Sequence, residues 1–335
     1  MKAIVFSEPG GIEKLKYVED FPKPVPKKEE VLLAVKAASL NHLDIWIRNG
    51  IPSYGSVMPH ISGCDIAGVV EGTGEEVIVS PGLSCGNCEF CQKGRENICK
   101  SFTIIGAGPN GGFAEYCVVP KKNLIPKPKN LSFEEAAAFP LTFLTAWHML
   151  RTRAQLTKGQ TVLILGASSG IGVAAVQIAK LTGATVIATA GSVEKLEKIK
   201  KLGADHLLNH REEAWDKKVK ELTQGVGVDV VFEHIGPVTW EKSIKSIKKG
   251  GTLVTCGATT GPVAETDLRY LYSRELSIHG AIMGTKKELE EVTQHVARGN
   301  LKPVIDSVFP LKEIAAAQKK MESREFFGKI VISIS

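Results

Sequence analysis

The chain has 335 residues, 43% of them hydrophobic and 23% charged, and its 42 Lys and Arg against 36 Asp and Glu leave a formal charge of +6. This balance excludes wholesale disorder, and the positive charge is spread too thinly for a nucleic-acid footprint. The length suits two domains and buries enough surface to fold without disulfide staples. No run approaches the roughly 20 apolar residues that span a bilayer, and the apolar run after Met1 and Lys2 is too short for a secretory leader. The expectation is a cytoplasmic protein with no membrane or nucleic-acid partner. Lys is abundant and Asn and Gln are sparse, which leans towards a thermophilic source.

The first ~140 residues read as short β-rich pieces broken by proline and glycine, with strands at Lys2–Ser7, Val31–Leu40 and Glu115–Val119. Within this half, Cys85, Cys88, Cys91 and Cys99 crowd into fifteen residues. In a cytoplasmic chain such spacing points to metal before disulfide. Four thiolates complete a zinc tetrahedron and leave no open position for substrate, so the site reads as one structural Zn²⁺ per chain, with two disulfides or free thiols as the alternatives. Cys117 and Cys256 read as small core residues. Pro126 and Pro128 read as a linker-like end to this half.

From about Thr142 the texture becomes strand–helix alternation. Strands are expected at Val162–Leu165, Thr185–Ala190, His206–Leu208, Asp229–Phe232, Leu253–Cys256 and Leu276–Ile282, with helices through Lys180, at Val193–Leu202 and between most of the others. A last amphipathic helix is expected at Lys286–Arg298, and a final strand at Gly328–Ser335. The pattern predicts a doubly wound parallel sheet, an α/β fold.

The turn after the first of these strands runs from Gly166 through Ser168, Ser169, Gly170 and Ile171 to Gly172. Glycines let the backbone approach a diphosphate, and the helix start offers N–H groups and partial positive charge. The G-x3-G-x-G spacing departs from G-x-G-x-x-G, so its strand–helix context carries the reading of a dinucleotide site. The second strand ends at Gly191 and Ser192 with no acidic residue to hold a ribose 2′-OH. That neutral end, with Lys195 nearby, favours NADP(H) over NAD(H). By the rule that ligands sit at strand C-termini, Ile235, Gly236, Gly257 and Ala258 are further cofactor-loop candidates.

Read together, these features resemble the medium-chain dehydrogenase/reductase superfamily, which includes zinc alcohol dehydrogenases and quinone reductases. The resemblance rests on Ala38–Asp44 (ASLNHLD), Gly63–Gly68 (GCDIAG), the cysteine lobe, Leu144–Trp147 (LTAW), Gly166–Gly172 and Gly280–Gly284 (GAIMG). It implies a GroES-like β-rich catalytic domain, residues 1–141 and 283–335 with its zinc lobe at 85–99, and a Rossmann coenzyme domain, residues 142–282. It also places Ile282, Met283 and Gly284 beside the nicotinamide, and implies a homodimer or homotetramer paired near Leu276–Ile282.

This chain departs from the family's zinc-dependent branch. Members with a catalytic zinc carry Cys where it has Asn41, His-Glu where it has Cys64 and Asp65, and Cys near Leu141. A three-ligand open site cannot be assembled from Asn41, Cys64 and Leu141, so the usual catalytic zinc is expected to be missing; a substitute site from Cys64, Asp65, His42 or Asp44 stays open. Asn41 with Asp44 resembles the zinc-independent quinone reductases. An alternative reductase class with Tyr-x3-Lys is excluded, since none of Tyr17, Tyr54, Tyr116, Tyr270 and Tyr272 is followed by Lys at that spacing.

The resulting expectation is hydride transfer between NADP(H) and a small carbonyl, enone, quinone or alcohol. Asn41 is the first candidate donor to the substrate oxygen and Tyr54 the second. Asp44 either orients these or caps local backbone, and His42 is a candidate for the cofactor diphosphate. The competing functions are an alcohol dehydrogenase with non-standard zinc ligands and a non-catalytic NADPH-binding protein.

Overall fold

The computed structural model describes residues 1–51, 55–211 and 214–334. It divides into two compact units, Met1–Leu141 with Thr285–Ser335, and Thr142–Gly284. Among the described residues no helix is long and apolar enough to cross a membrane.

In the first unit the chain forms β1 (Ala3–Val5), β2 (Lys16–Val18), β3 (Glu30–Ser39), α1 (His42–Arg48), β4 (Asp65–Val70), β5 (Glu76–Val79) and β6 (Gly82–Leu83). It continues through α2 (Glu89–Gln92), β7 (Thr103–Ile104), β8 (Tyr116–Pro120), β9 (Leu124–Pro126) and α3 (Phe133–Ala137). Helix α4 (Pro140–Trp147) leads into the second unit, with β10 (Thr161–Ile164), α5 (Gly170–Thr182), β11 (Thr185–Ala190), α6 (Val193–Lys201), β12 (His206–Asn209) and α7 (Trp215–Leu222). There follow β13 (Val228–Glu233), α8 (Pro237–Ser246), β14 (Ile247–Thr255), α9 (Leu268–Ser273) and β15 (Ser277–Gly280). The chain then returns to the first unit as α10 (Lys286–Ala297), β16 (Ile305–Pro310), α11 (Ile314–Glu322) and β17 (Lys329–Ser333).

The sheet of the second unit has the order β12-β11-β10-β13-β14-β15 and is parallel throughout. Its central strands are near-continuous apolar runs because helices cover both faces; Val162, Leu163, Ile164, Val231 and Phe232 are fully buried. Reversal of strand order at β10 opens the crevice where doubly wound folds bind ligands.

The sheet of the first unit runs β16-β17-β3-β4-β5-β9, with β8 also on β3. The two C-terminal strands therefore belong to the same sheet as strands nearly 300 residues earlier. Leu33, Val35, Ile66, Phe113, Ile330 and Ile332 form part of its core.

Three expectations need correction. Pro126 is the last residue of β9, paired to Val77 of β5, because a proline is tolerated on an edge strand. Lys286–Ala297 is not the last helix: α11 buries Ile314, Ala317, Gln318 and Met321 on one helical face, a period visible in the sequence beyond Pro303. Met283 and Gly284 group with the second unit, and the changeover falls at Thr285, where α10 begins.

Gly68 accounts for one of the quoted motifs. It pairs with Val35 next to a register shift in β3, and a Cβ there would lie 2.4 Å from the Ala34 carbonyl oxygen. Gly68→Ala is expected to destabilise the chain by about 1–3 kcal/mol through overpacking of the β3–β4 ladder. Thermal unfolding of the full chain measures it, and an unchanged midpoint contradicts the reading.

Candidate active site

In the second unit the expected cofactor residues gather at one edge, because parallel strands deliver all their C-terminal loops to the same side. Ser169 caps α5: its hydroxyl accepts the Gly172 N–H at 3.1 Å and donates to the Gly166 carbonyl at 2.8 Å. Gly166 has a φ of +55°, and a Cβ on Gly172 would lie 2.4 Å from the Gly166 oxygen, so the turn is as tight as its glycines allow. The first N–H groups of α5, at Gly170 and Ile171, are the donors that a helix start leaves for an anion. Ser168 lies half-buried on the same turn.

Two supports hold the neighbouring loop. The buried Glu233 carboxylate accepts the N–H groups of Ile235 and Gly236 at 3.0 and 3.1 Å and the Thr239 hydroxyl at 2.7 Å. The His234 ring packs beside Gly166, with Nε2 2.9 Å from the Leu165 oxygen. Gly257 and Ala258 follow β14, and Ile282–Gly284 follow β15. Met283 is buried with a φ of +43°.

At the end of β11, Ser192 caps α6 and accepts the Lys195 N–H at 3.4 Å. Gly191 has neighbours that sequence reading missed. A Cβ there would lie 3.1 Å from His210 Nε2 and 3.2 Å from Arg211 Nε. His210 Nδ1 is 3.3 Å from the Thr189 hydroxyl. Both residues directly follow β12, so their place next to β11 follows from the sheet order, and the same C-terminal-edge rule that selected Gly257 and Ala258 would have found them.

In the first unit, Asp65 and Lys329 form a buried ion pair, Oδ2 to Nζ 3.0 Å, with exposures of 0% and 3%. Lys329 Nζ also donates to the Leu40 carbonyl at 2.7 Å and to Asn41 Oδ1 at 2.8 Å. Asp65 further accepts Asn41 Nδ2 at 2.8 Å, the Leu141 N–H at 2.7 Å and the Ser39 hydroxyl at 3.2 Å. The second contact of Asn41 Nδ2 is Cys64 Sγ at 3.3 Å. Positions 41, 64, 65 and 141 are therefore together in space, and an ammonium ion is fixed among them. Lys329 was not singled out in the sequence because only the β17–β3 pairing brings it there.

Asp44 caps α1. Its two oxygens accept the N–H groups of Asn41 at 2.7 Å and Gly63 at 3.0 Å. Burial pushes its carboxyl up to about 7 against the pull of those two N–H groups. Burial, with Asp65 and Asp44 close by, likewise pushes the Cys64 thiol up. His42 opens α1, half-buried, with its ring 6.3 Å from that of Trp46. Tyr54 lies outside the described residues.

The four cysteines form a separate cluster, their Sγ atoms all within 4.8 Å of one another. Among these pairs, Cys85–Cys99 are 3.4 Å apart, Cys88–Cys91 3.6 Å and Cys85–Cys91 3.9 Å. Thiolates about 2.3 Å from a tetrahedral zinc stand about 3.8 Å apart, so this set fits the ion. Backbone N–H groups of Cys85 and Ser101 both reach Cys99 Sγ at 3.4 Å; that of Cys91 pulls the Cys88 thiol down to about 6, while burial and the Cys88 side chain push the Cys91 thiol up to about 11. Among the described residues no other group of three or more His, Cys, Asp or Glu side chains is gathered closely enough to hold a metal.

Comparison with known proteins agrees with this architecture. Residues 27–129 match the alcohol dehydrogenase GroES-like domain, and residues 170–298 match the zinc-binding dehydrogenase family. Quinone oxidoreductase of Homo sapiens is 32% identical over 327 residues, 96% of this chain and 94% of the relative. A solved NAD-dependent alcohol dehydrogenase is 45% identical over the whole of both chains, with a TM-score of 0.96. The cobalt- and zinc-bound thermostable alcohol dehydrogenase of Pyrobaculum aerophilum is 36% identical over 99% of both chains, with a TM-score of 0.90. Two domain models met in the same order as the two folds, and relatives aligned from end to end, make this chain a member of the medium-chain dehydrogenase/reductase superfamily and an NAD(P)H-dependent oxidoreductase.

Proposed function

We propose that the chain is an NADP(H)-linked reductase of activated carbonyls, conjugated enones or quinones that works without a catalytic metal. The observation that carries this reading is the Lys329 ammonium among Asn41, Asp65 and Leu141. A divalent ion bound to Asn41 or Asp65 would meet a fixed like charge at close range, at a cost of several kcal/mol. The donor set gathered there is one amide, one carboxylate already paired, and one thiol whose pKa is raised, a poor match to the three ligands of a catalytic zinc.

Reduced nicotinamide, when bound, supplies the hydride. The Gly166–Gly172 turn and the start of α5 are suited to hold its diphosphate, and Ser192, Lys195, His210 and Arg211 to hold a 2′-phosphate. Lys329 donates to Asn41 Oδ1 and so fixes the amide with Nδ2 towards Cys64 and Asp65. A thiol is a weak acceptor, so a substrate oxygen can replace Cys64 as the partner of one Nδ2 proton. Asp44 holds the backbone of Asn41 for this role and Tyr54 remains the second candidate donor. An amide stabilises developing charge less than zinc does, which suits substrates already activated towards hydride. In the cysteine lobe, Cys85, Cys88, Cys91 and Cys99 would hold one structural zinc. The edge strand β15, with Ile278 and Ile282 about 40% exposed beside it, is the proposed pairing surface of a homo-oligomer.

A second reading, a zinc alcohol dehydrogenase using NADH, is favoured by the names of the two solved relatives. Steady-state rates separate the two. NADPH-dependent reduction of an enone and a quinone is expected to exceed oxidation of a primary alcohol, and faster alcohol oxidation overturns the proposal. Arg211→Ala is expected to raise KM for NADPH by about 10- to 100-fold, the worth of a charge-assisted phosphate contact, while KM for NADH stays within about twofold. Equal change for both cofactors removes Arg211 from the phosphate site.

A further inference from the structure

Glu96 joins the cysteine lobe to a distant part of the chain. It stands on the short 3-10 turn Glu96–Ile98, between the third and fourth cysteines. Its Oε1 accepts the backbone N–H of Lys286, the first residue of α10, at 2.7 Å. The helix's own capping box is complete without it: Thr285 N–H donates to Glu288 Oε2 at 2.7 Å and Glu288 N–H to the Thr285 hydroxyl at 3.3 Å. Glu96 satisfies the Lys286 N–H, one of the two first-turn donors that the box leaves, and places a carboxylate where the helix dipole favours it.

What this anchor holds is the return of the chain from the second unit to the first, between Gly284 and Thr285. Two residues before the cap stands Met283, buried and in the left-handed region at a φ of +43°. A side chain in that region stays there only if its surroundings over-determine it. The other end of the anchor has little core of its own: between residues 85 and 100 only Asn97 and Cys99 are buried. The shape of that loop therefore depends on what its four thiolates hold.

We propose that Glu96 is a positioning residue that couples the tetrathiolate lobe to the Ile282–Gly284 segment, so that zinc in the lobe tightens binding of the nicotinamide cofactor. This rests on the reading that Ile282–Gly284 touches that cofactor. The lobe then sets cofactor affinity as well as stability, through one hydrogen bond to the start of α10.

The test uses the full chain as wild type, Glu96→Gln and Glu96→Ala, each zinc-loaded and after extraction of the metal with a chelator. Hydrogen exchange over residues 281–289 and NADPH affinity by fluorescence titration are both read. In wild type, extraction is expected to speed exchange about tenfold and weaken NADPH about three- to tenfold, the scale of one lost hydrogen bond to a charged group. Glu96→Ala is expected to show both changes while still holding its zinc, with extraction adding less than about twofold; Glu96→Gln, which keeps an acceptor oxygen, stays near wild type. Exchange that ignores Glu96→Ala, or extraction that weakens NADPH equally in Glu96→Ala and wild type, overturns the coupling. Exchange that responds while NADPH affinity does not also overturns the proposal, but at the cofactor reading rather than at Glu96.

Discussion

The pairing of Lys329 with Asp65 fixes the buried polar cluster of the first unit on which the proposed chemistry depends. Two charges removed from water persist only when their remaining valences are filled, and here they are: the ammonium has Leu40, Asn41 and Asp65, and the carboxylate has Lys329, Asn41, Ser39 and the Leu141 backbone. Such a pair is weak evidence for stability. Its consequence is geometric, since it locks β17, β4, the end of β3 and the start of α4 at one point and leaves Asn41 a single orientation. The proposed loss of a catalytic metal and the proposed role of the Asn41 amide both follow from that point.

The second unit obeys a different constraint. A parallel sheet covered on both faces brings every C-terminal loop to one edge, and the chain has placed small or neutral residues there: Gly166, Gly191, Ser192, Gly236, Gly257 and Ala258. Polar side chains hold the loops from below, the buried Glu233 under Ile235 and Gly236, the half-buried His234 beside Gly166, and the buried Thr189 beneath His210. Cofactor chemistry needs this edge to be open at the surface and rigid beneath it, and the division between glycine above and hydrogen-bonding side chains below meets both needs.

Much of this was legible in the sequence because the signals are local. Strand–helix alternation from Thr142 onwards gave the sheet, and the run Thr185–Ala190 was read to the residue. The four cysteines needed only their spacing. What was not legible depended on distant pairing. Lys329 reads as an exposed start to a C-terminal strand until β17 is laid beside β3. His210 and Arg211 read as a polar loop until β12 is placed next to β11. Glu96 stands 190 residues from the Lys286 N–H it accepts, so no local signal marks it. Helix α11 is a different kind of miss: its burial period is present in the residues, but the last helix is expected at Lys286–Arg298.

The central claim, hydride transfer with no metal at Asn41, Cys64 and Asp65, is tested most directly by counting zinc in fully active enzyme and following turnover as that zinc is withdrawn. The account predicts close to one ion per chain, held by the cysteine lobe, with kcat largely retained when it is removed and any loss confined to cofactor affinity and stability. Two ions per chain, with turnover disappearing in step with the second, would contradict it.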